Sequence, residues 1–362
     1  MPDTIAPSPQ FRVIDTGLRT GRENIAFDQA MIDAHRCGEI PDTIRFIHFK
    51  PVALLGRHQA LSQEVHQDEC AARGIEIGRR ITGGGAIYLD EGQLGWALVM
   101  RRKTLGLGGL GETATAICEA AAVGLSGLGI NARFRPRNDI EVGGRKISGT
   151  GGFFDGDTLI YQGTVLVDLN SERMFAALNV AKAKLERKSL DSAADRVTCL
   201  RALLGDQTPT MPALEEALIS GFARHLGIQP IWGEATNTEE QRAKTLYEEE
   251  IGTDGFVAEI DDPARETGVL AGSYTNLGGT VNAFVRLEGA RNERLREVLI
   301  SGDFFVTPPR IIYDLEASLR RVPIVELQVH IQHFFERTNV GMLSVAPDDF
   351  ALAIINACAV KK

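Results

Sequence analysis

Three successive glycines interrupt two strand-like runs in the stretch Arg79-Arg80-Ile81-Thr82-Gly83-Gly84-Gly85-Ala86-Ile87-Tyr88. A glycine triplet weakens a regular strand, because glycine loses more backbone entropy on folding than any other residue. What it offers in exchange is close approach: a backbone without Cβ atoms can aim several N–H groups at one anion, as phosphate-binding nests do. Arg79 and Arg80 supply the countercharge. A glycine bulge with surface arginines is the plainer reading, but it gives no reason for three glycines in a row.

A second stretch, Arg137-Asn138-Asp139-Ile140-Glu141-Val142-Gly143-Gly144-Arg145-Lys146-Ile147-Ser148-Gly149, reads as a hairpin turning at Gly143-Gly144. Strand alternation then puts Lys146 and Ser148 on one face, with Asn138 and Asp139 near the far end of the partner strand. A lysine beside a turn is ordinarily solvated. Paired with an anion-binding glycine loop, it becomes a candidate to neutralise charge developing on a carboxylate and a phosphate.

The chain has 362 residues, 44% of them hydrophobic, enough for a full core; at roughly 150 residues per domain two domains are expected. Its 39 Lys and Arg against 48 Asp and Glu give a net charge of −9, which argues against a nucleic-acid partner held by a broad basic surface. The five cysteines, Cys37, Cys70, Cys118, Cys199 and Cys358, are scattered and form no C-x-x-C pair. Neither a disulfide framework nor a zinc knuckle is suggested. The N-terminus lacks a basic segment followed by an apolar core, and no run approaches the ~18 apolar residues of a membrane span. A cytoplasmic location with no membrane partner is expected.

Residues 1–21 read as a tail leading into a helix striped by Ile25, Ala26, Ala30, Met31 and Ile32. Strands are predicted at 43–49, 52–56 and 75–81, a hairpin at 86–100, and strands at 139–142, 145–149, 158–167 and 278–289. Helices are predicted over 64–73, 112–128, 171–178 and 211–226, and near 312–320 and 324–336. A charged segment, 233–250, reads as a helix or linker, which places the domain boundary near residue 262.

Two other motifs are weaker. GLGGLG at 106–111 satisfies G-x-G-x-x-G, but no acidic residue stands about 20 residues on to hold a ribose, so a flexible loop is the better reading. His330 and His333 are spaced for a helical metal pair, yet the adjacent Phe334 and Phe335 suggest ordinary packing. His58 either lines a pocket or is exposed.

The motifs R-R-x-T-G-G-G-A-x-Y-x-D, R-N-D-x-x-x-x-G-R-K-x-S-G and Gly163-Thr164, in this order, resemble the lipoate-protein ligase A family. Supporting fragments are Asn24-Ile25-Ala26-Phe27-Asp28, Gly56-Arg57-His58-Gln59, Arg196-Val197-Thr198 and Ser301-Gly302-Asp303-Phe304-Phe305. The resemblance implies an α+β fold: a mixed β-sheet with flanking helices, of the biotin/lipoate-protein ligase (class II synthetase-like) type, over residues 1–262, and a small α+β accessory domain over 263–362. It further implies ATP-dependent activation of lipoate, with Mg²⁺, to lipoyl-adenylate, then transfer to a lysine of a lipoyl-domain acceptor. That acceptor would be a 2-oxoacid dehydrogenase E2, a glycine-cleavage H protein or a sulfur-oxidation lipoate-binding protein, and the enzyme a monomer.

By the same resemblance Lys146 is the catalytic residue, bridging the acyl carboxylate and the α-phosphate. Arg79, Arg80, Thr82, Gly83, Gly84, Gly85, Ala86, Ile87 and Tyr88 line the lipoyl and phosphate path. Asn138, Asp139, Ser148, Gly163 and Thr164 complete the lipoate and adenylate site, with Asp139 the candidate Mg²⁺ ligand. Trp96 and Val52–Leu55 are candidate walls for the acyl chain. Two positions depart from the family pattern, Leu89 where a histidine is usual and Thr150-Gly151 in place of a Ser-Ala pair. They leave open lipoate against octanoate. An ATP-independent octanoyl or lipoyl transferase using a cysteine thioester, and a non-catalytic lipoate-binding protein, are the alternatives.

Overall fold

A computed structural model describes residues 8–136, 138–179, 196–276, 278–338, 340–342 and 345–359. Arg137 lies outside the described residues. The contacts divide the chain into two compact units that interleave in sequence. The first takes residues up to Val52, then Leu89–Met174 and a stretch ending at Glu248; the second takes Ala53–Tyr88, Phe175–Asn179 and the chain from Glu249 onward. The single cut expected near residue 262 differs from this division, because the segment carrying the three glycines packs with C-terminal elements.

The first unit is built on an eight-stranded sheet in the order Gln229–Trp232, Gln10–Arg19, Thr43–Phe49, Gln93–Arg101, Thr158–Leu166, Arg145–Asp155, Asp139–Val142, Ala132–Arg135. Gln10–Arg19 runs parallel to both neighbours and the remaining pairs are antiparallel, so the sheet is mixed. Gln10–Arg19 corrects the reading of residues 1–21 as a tail: Phe11 and Val13 alternate into the core. Helices Leu110–Ser126 and Met211–Leu226 cover one face, packing Ile117, Leu125, Leu218 and Phe222 against Phe46, Trp96, Leu98 and Tyr161. The helix Gly21–Arg36, begun by a Thr20/Glu23 capping box, packs toward the central strands and carries Asn24 and Asp28 to buried Arg45.

In the second unit, Leu270–Asn276, Gly279–Glu288 and Arg294–Gly302 form an antiparallel meander. Helices Ile311–Ser318, Leu327–Glu336 and Pro347–Ala359 share a second core with it, centred on Val285, Ile300, Phe304, Leu315, Ile331 and Phe350. A short sheet of Glu76–Arg79, Val52–Leu55 and Ile87–Leu89 lies almost wholly in this unit. No helix among the described residues is long and apolar enough to cross a membrane.

Burial raises the Glu316 carboxyl to about 7, while its Oε1 accepts a 2.6 Å hydrogen bond from the Ile300 N–H. The folded state therefore holds this proton more tightly than the unfolded chain, where a glutamate titrates near 4.3. The associated stability is fully present below the unfolded value and is lost as pH rises through the folded one. Glu316→Gln keeps an acceptor for Ile300 and removes the titration. It should raise the melting temperature at pH 8 and flatten the decline between about pH 4.5 and 7; an unchanged melting temperature at pH 8 would contradict this.

Candidate active site

Gly143 and Gly144 have φ of +58° and +77°, the pair of left-handed residues that a two-residue hairpin turn needs. The turn joins Asp139–Val142 to Arg145–Asp155, and a register shift between Ile140 and Glu141 sets Lys146 opposite Glu141. Lys146 Nζ lies 2.6 Å from Asp139 Oδ1, with the lysine side chain 38% exposed. Arg135 donates to the other oxygen of Asp139 at 2.5 Å. Gly149 leaves room for this ammonium, since a Cβ there would stand 2.8 Å from Lys146 Nζ.

The main chain of Lys146 is held from its other side. Its N–H donates to the Arg196 carbonyl and its carbonyl accepts from the Thr198 N–H, both at 2.8 Å. Ser148 Oγ, two residues along the strand, and Thr198 Oγ1 are buried without a hydrogen-bond partner. Leaving a buried polar group unpaired costs roughly 1–3 kcal/mol. Two such hydroxyls around one lysine suit a polar ligand that would satisfy them.

Asn138 and Thr150 are tied to one another. The Asn138 amide donates to the Thr150 carbonyl at 2.8 Å, while the Thr150 N–H and hydroxyl donate to the Asn138 carbonyl at 2.8 and 3.0 Å. The departure at Thr150 thus anchors the entry to the hairpin. Gly163 and Thr164 stand opposite Thr150 and Gly149. Gly163 serves packing: a Cβ would come within 2.3 Å of the Trp96 ring. Trp96 itself is fully buried and edge-on to Phe222, ring centres 5.3 Å apart, so it belongs to the core and not to an acyl channel.

The glycine loop lies in the second unit. Arg80 donates to the carbonyls of Gly83 at 3.2 Å, Gly85 at 2.9 Å and Leu54 at 3.0 Å. Burial lowers its guanidinium to about 10, so it stays charged at neutral pH. Arg79 is buried and donates to the carbonyls of Gly56, Arg57, Gln59, Phe256, Val257 and Ile260. It braces the loop's surroundings with its charge directed inward.

Gly84 has φ of +97°, and its N–H donates to the Phe304 carbonyl at 3.2 Å. A Cβ at Gly83 would stand 2.2 Å from that carbonyl oxygen, and one at Gly84 2.6 Å from the Phe305 ring. The segment Ser301–Phe305 therefore rests directly on the glycines. Thr82 is buried with its carbonyl accepting from the Arg57 N–H at 2.9 Å, and the chain leaves the loop through Ala86 into the strand Ile87–Leu89, where Tyr88 is buried.

His58 is buried and stacked on Phe304, ring centres 5.1 Å apart. Burial, helped by the charges of Arg57 and Arg79, pushes its imidazole down to about 3, so it is neutral. At GLGGLG, the Glu112 carboxylate accepts from the Gly108 N–H at 2.8 Å, filling with a side chain the place where the fingerprint would hold pyrophosphate. His330 Nε2 lies 3.3 Å from Ser318 Oγ.

The structure thus groups Asp139, Lys146, Ser148, Gly163 and Thr164 on neighbouring strands of the first unit, with Asn138 in the turn just before them, and Arg79–Tyr88 within the second. Cys199, one of the five scattered cysteines, is buried and next in the chain to Thr198, whose N–H is bonded to Lys146, a proximity the sequence does not show. Its signal was the fragment Arg196-Val197-Thr198, which carried no hint of pairing with a strand some fifty residues earlier.

The lipoyl protein ligase A/B catalytic domain family matches residues 20–223. Octanoyltransferase LipM of Symbiobacterium thermophilum is 30% identical over 269 residues, 68% of this chain and 97% of that one. Lipoate-protein ligase LplJ of Bacillus subtilis is 30% identical over 177 residues, 49% of this chain and 51% of that one. Among solved structures, P. falciparum LipL1 in complex with lipoate shares the fold with a TM-score of 0.69 at 17% identity, over 91% of this chain and 95% of that chain. With a mixed sheet flanked by helices, a further sheet and helix assembly toward the C-terminus, and these matches, the chain belongs to the lipoyl protein ligase A/B family of lipoate ligases and octanoyltransferases.

Proposed function

We propose that the protein is an ATP-dependent lipoate-protein ligase. The observation that carries this reading is Lys146, fixed through its main chain and flanked by two buried hydroxyls that have no partner. In the first step a lipoate carboxylate oxygen attacks the α-phosphorus of ATP and pyrophosphate leaves. Two anions must meet, so Lys146, exchanging its contact with Asp139 for the incoming oxygens, lowers the barrier electrostatically. In the second step the ε-amine of an acceptor lysine attacks the lipoyl carbonyl, AMP leaves, and the amine proton is released. Holding the mixed anhydride beside that amine makes amide formation effectively unimolecular.

Arg80, Thr82 and Gly83–Gly85 are assigned to the lipoyl and phosphate path, and Asn138 and Asp139 to the adenylate. Mg²⁺ is commonly held by one or two carboxylates together with substrate phosphates; Asp139 would hold it on giving up its contacts with Lys146 and Arg135, and the ion would supply further positive charge at the phosphates. The acceptor is a lipoyl domain of a 2-oxoacid dehydrogenase E2, a glycine-cleavage H protein or a sulfur-oxidation lipoate-binding protein. The enzyme acts as a cytoplasmic monomer.

One observation favours a second reading, an ATP-independent octanoyltransferase: Cys199 adjoins the residue bonded to Lys146. Its thiolate would attack an octanoyl thioester, expel the carrier thiol, and pass the acyl group to the acceptor amine. Burial raises the thiols of Cys70 and Cys358 to about 11 and pushes Cys118 up as well, which makes all three poor nucleophiles.

Incubating a lipoyl-domain acceptor with enzyme and lipoate, with and without MgATP, and weighing the acceptor by mass spectrometry tests the proposal. Lipoylation should require MgATP. A variant with all five cysteines changed to Ser or Ala should retain it within roughly tenfold, the scale of ordinary repacking losses of ~1 kcal/mol. Loss of all acyl transfer in Cys199→Ser, in a folded protein, would favour the transferase.

A further inference from the structure

Three side chains of ligand type converge in the first unit, away from the residues assigned above. Asp15 on strand Gln10–Arg19, His48 on strand Thr43–Phe49 and Glu215 on helix Met211–Leu226 each offer one atom, all within 4.8 Å of one another. His48 Nε2 lies 3.4 Å from Asp15 Oδ1 and 3.3 Å from Glu215 Oε1. Both separations exceed the ~2.7–2.9 Å of a charge-assisted hydrogen bond. At these lengths a single N–H is at best a shared, three-centre donor to the two carboxylates.

The two His48 spacings suit the edges of a coordination tetrahedron, and the two carboxylate oxygens lie within 4.8 Å of each other. Bonds of about 2.0–2.1 Å, usual for Zn²⁺ to imidazole nitrogen and carboxylate oxygen, set neighbouring ligands about 3.3–3.4 Å apart. Octahedral Mg²⁺, at similar bond lengths, would want them about 2.9 Å apart and prefers oxygen ligands throughout. A nitrogen ligand with two carboxylates selects a transition ion.

Burial supplies a second, independent observation. The Glu215 side chain is only 7% exposed, and its one ion pair among the described residues is with His48. A carboxylate this buried calls for strong compensation of its charge. Asp15 Oδ1 also accepts from the Gly17 N–H at 2.9 Å, the kind of supporting bond that orients a ligating carboxylate. Its side chain is 39% exposed, which leaves an entry path and room for a water as fourth ligand.

We propose that Asp15, His48 and Glu215 bind one Zn²⁺ ion that ties the first two strands of the sheet to the helix Met211–Leu226. Because the three ligands come together only on folding, the ion stabilises the native state by mass action.

The test uses the full-length protein freed of metal by a chelator, titrated with Zn²⁺ by calorimetry and with Co²⁺ by visible absorption. One Zn²⁺ per chain should bind and raise the melting temperature, and Co²⁺ should give the intense bands of four-coordinate geometry. His48→Ala and Glu215→Gln should each weaken binding at least 10- to 100-fold, the range seen even for losses one shell further out. Asp15→Asn, at the exposed ligand, provides a variant that should fold whatever the others do and should also weaken binding. His225→Ala should leave the affinity unchanged. Failure of the wild-type protein to bind one equivalent, binding unaltered by Glu215→Gln or Asp15→Asn, or a weak six-coordinate cobalt spectrum would each overturn the assignment.

Discussion

Lys146→Ala should reduce lipoate activation by on the order of 10²-fold or more while leaving the fold intact, in line with the removal of one preorganised charge donor from a reacting centre. The side chain is 38% exposed and its contact is the surface-facing pair with Asp139, so little packing is lost; the main-chain bonds to Arg196 and Thr198 do not depend on the side chain. Substrate binding should suffer less than turnover, because the charge that Lys146 meets develops chiefly in the transition state. Steady-state kinetics with separate kcat and KM for lipoate read this directly. A variant turning over at near wild-type rate would remove Lys146 from the catalytic role.

Arg45→Ala should cost about 3–5 kcal/mol of stability, the penalty for stranding a buried charge. Arg45 is fully buried, donates to Asp28 at 2.5 Å, to the Asn24 side chain at 2.6 Å and to Thr16 at 3.0 Å, and stacks on Phe27 with its guanidinium 4.4 Å from the ring centre. Gln162 donates to the other carboxylate oxygen of Asp28. Burial pushes the Asp28 carboxyl up, and Arg45 together with the Gln162 hydrogen bond holds it down; without Arg45 only the Gln162 bond opposes the upward push. Replacing both partners, as Arg45→Met with Asp28→Leu, should be much less costly than the single change. Urea unfolding of the two variants against the wild-type protein checks this, and a loss under 1 kcal/mol for Arg45→Ala would show that the network is not needed.

The parts of the fold legible in the sequence are those whose cause is local. Gly143-Gly144 announces its own turn, because both positions take left-handed φ, and the hairpin with Lys146 and Asp139 follows from it. Gln10–Arg19 went unread because its partners lie far off: Arg12 pairs with Thr43, and Gln10 with Gln229. The same limit explains Arg79. Its charge is visible in the sequence, but four of the hydrogen bonds that absorb it run to Phe256, Val257 and Ile260, nearly 180 residues on. Trp96 shows the converse error, since an aromatic side chain reads alike whether it walls a channel or fills a core; only its contact with Phe222 decides. Nothing near Asp15, His48 or Glu215 in sequence points to the other two.

The central claim is that the acyl group is activated as an adenylate on this protein. Lipoate-dependent exchange of labelled pyrophosphate into ATP, with no acceptor present, isolates that step. Exchange should require lipoate, persist in the cysteine-free variant and fall by about 10²-fold or more in Lys146→Ala. Absence of exchange in the wild-type protein, together with a hydroxylamine-sensitive acyl-enzyme formed from an octanoyl thioester without ATP, would contradict it.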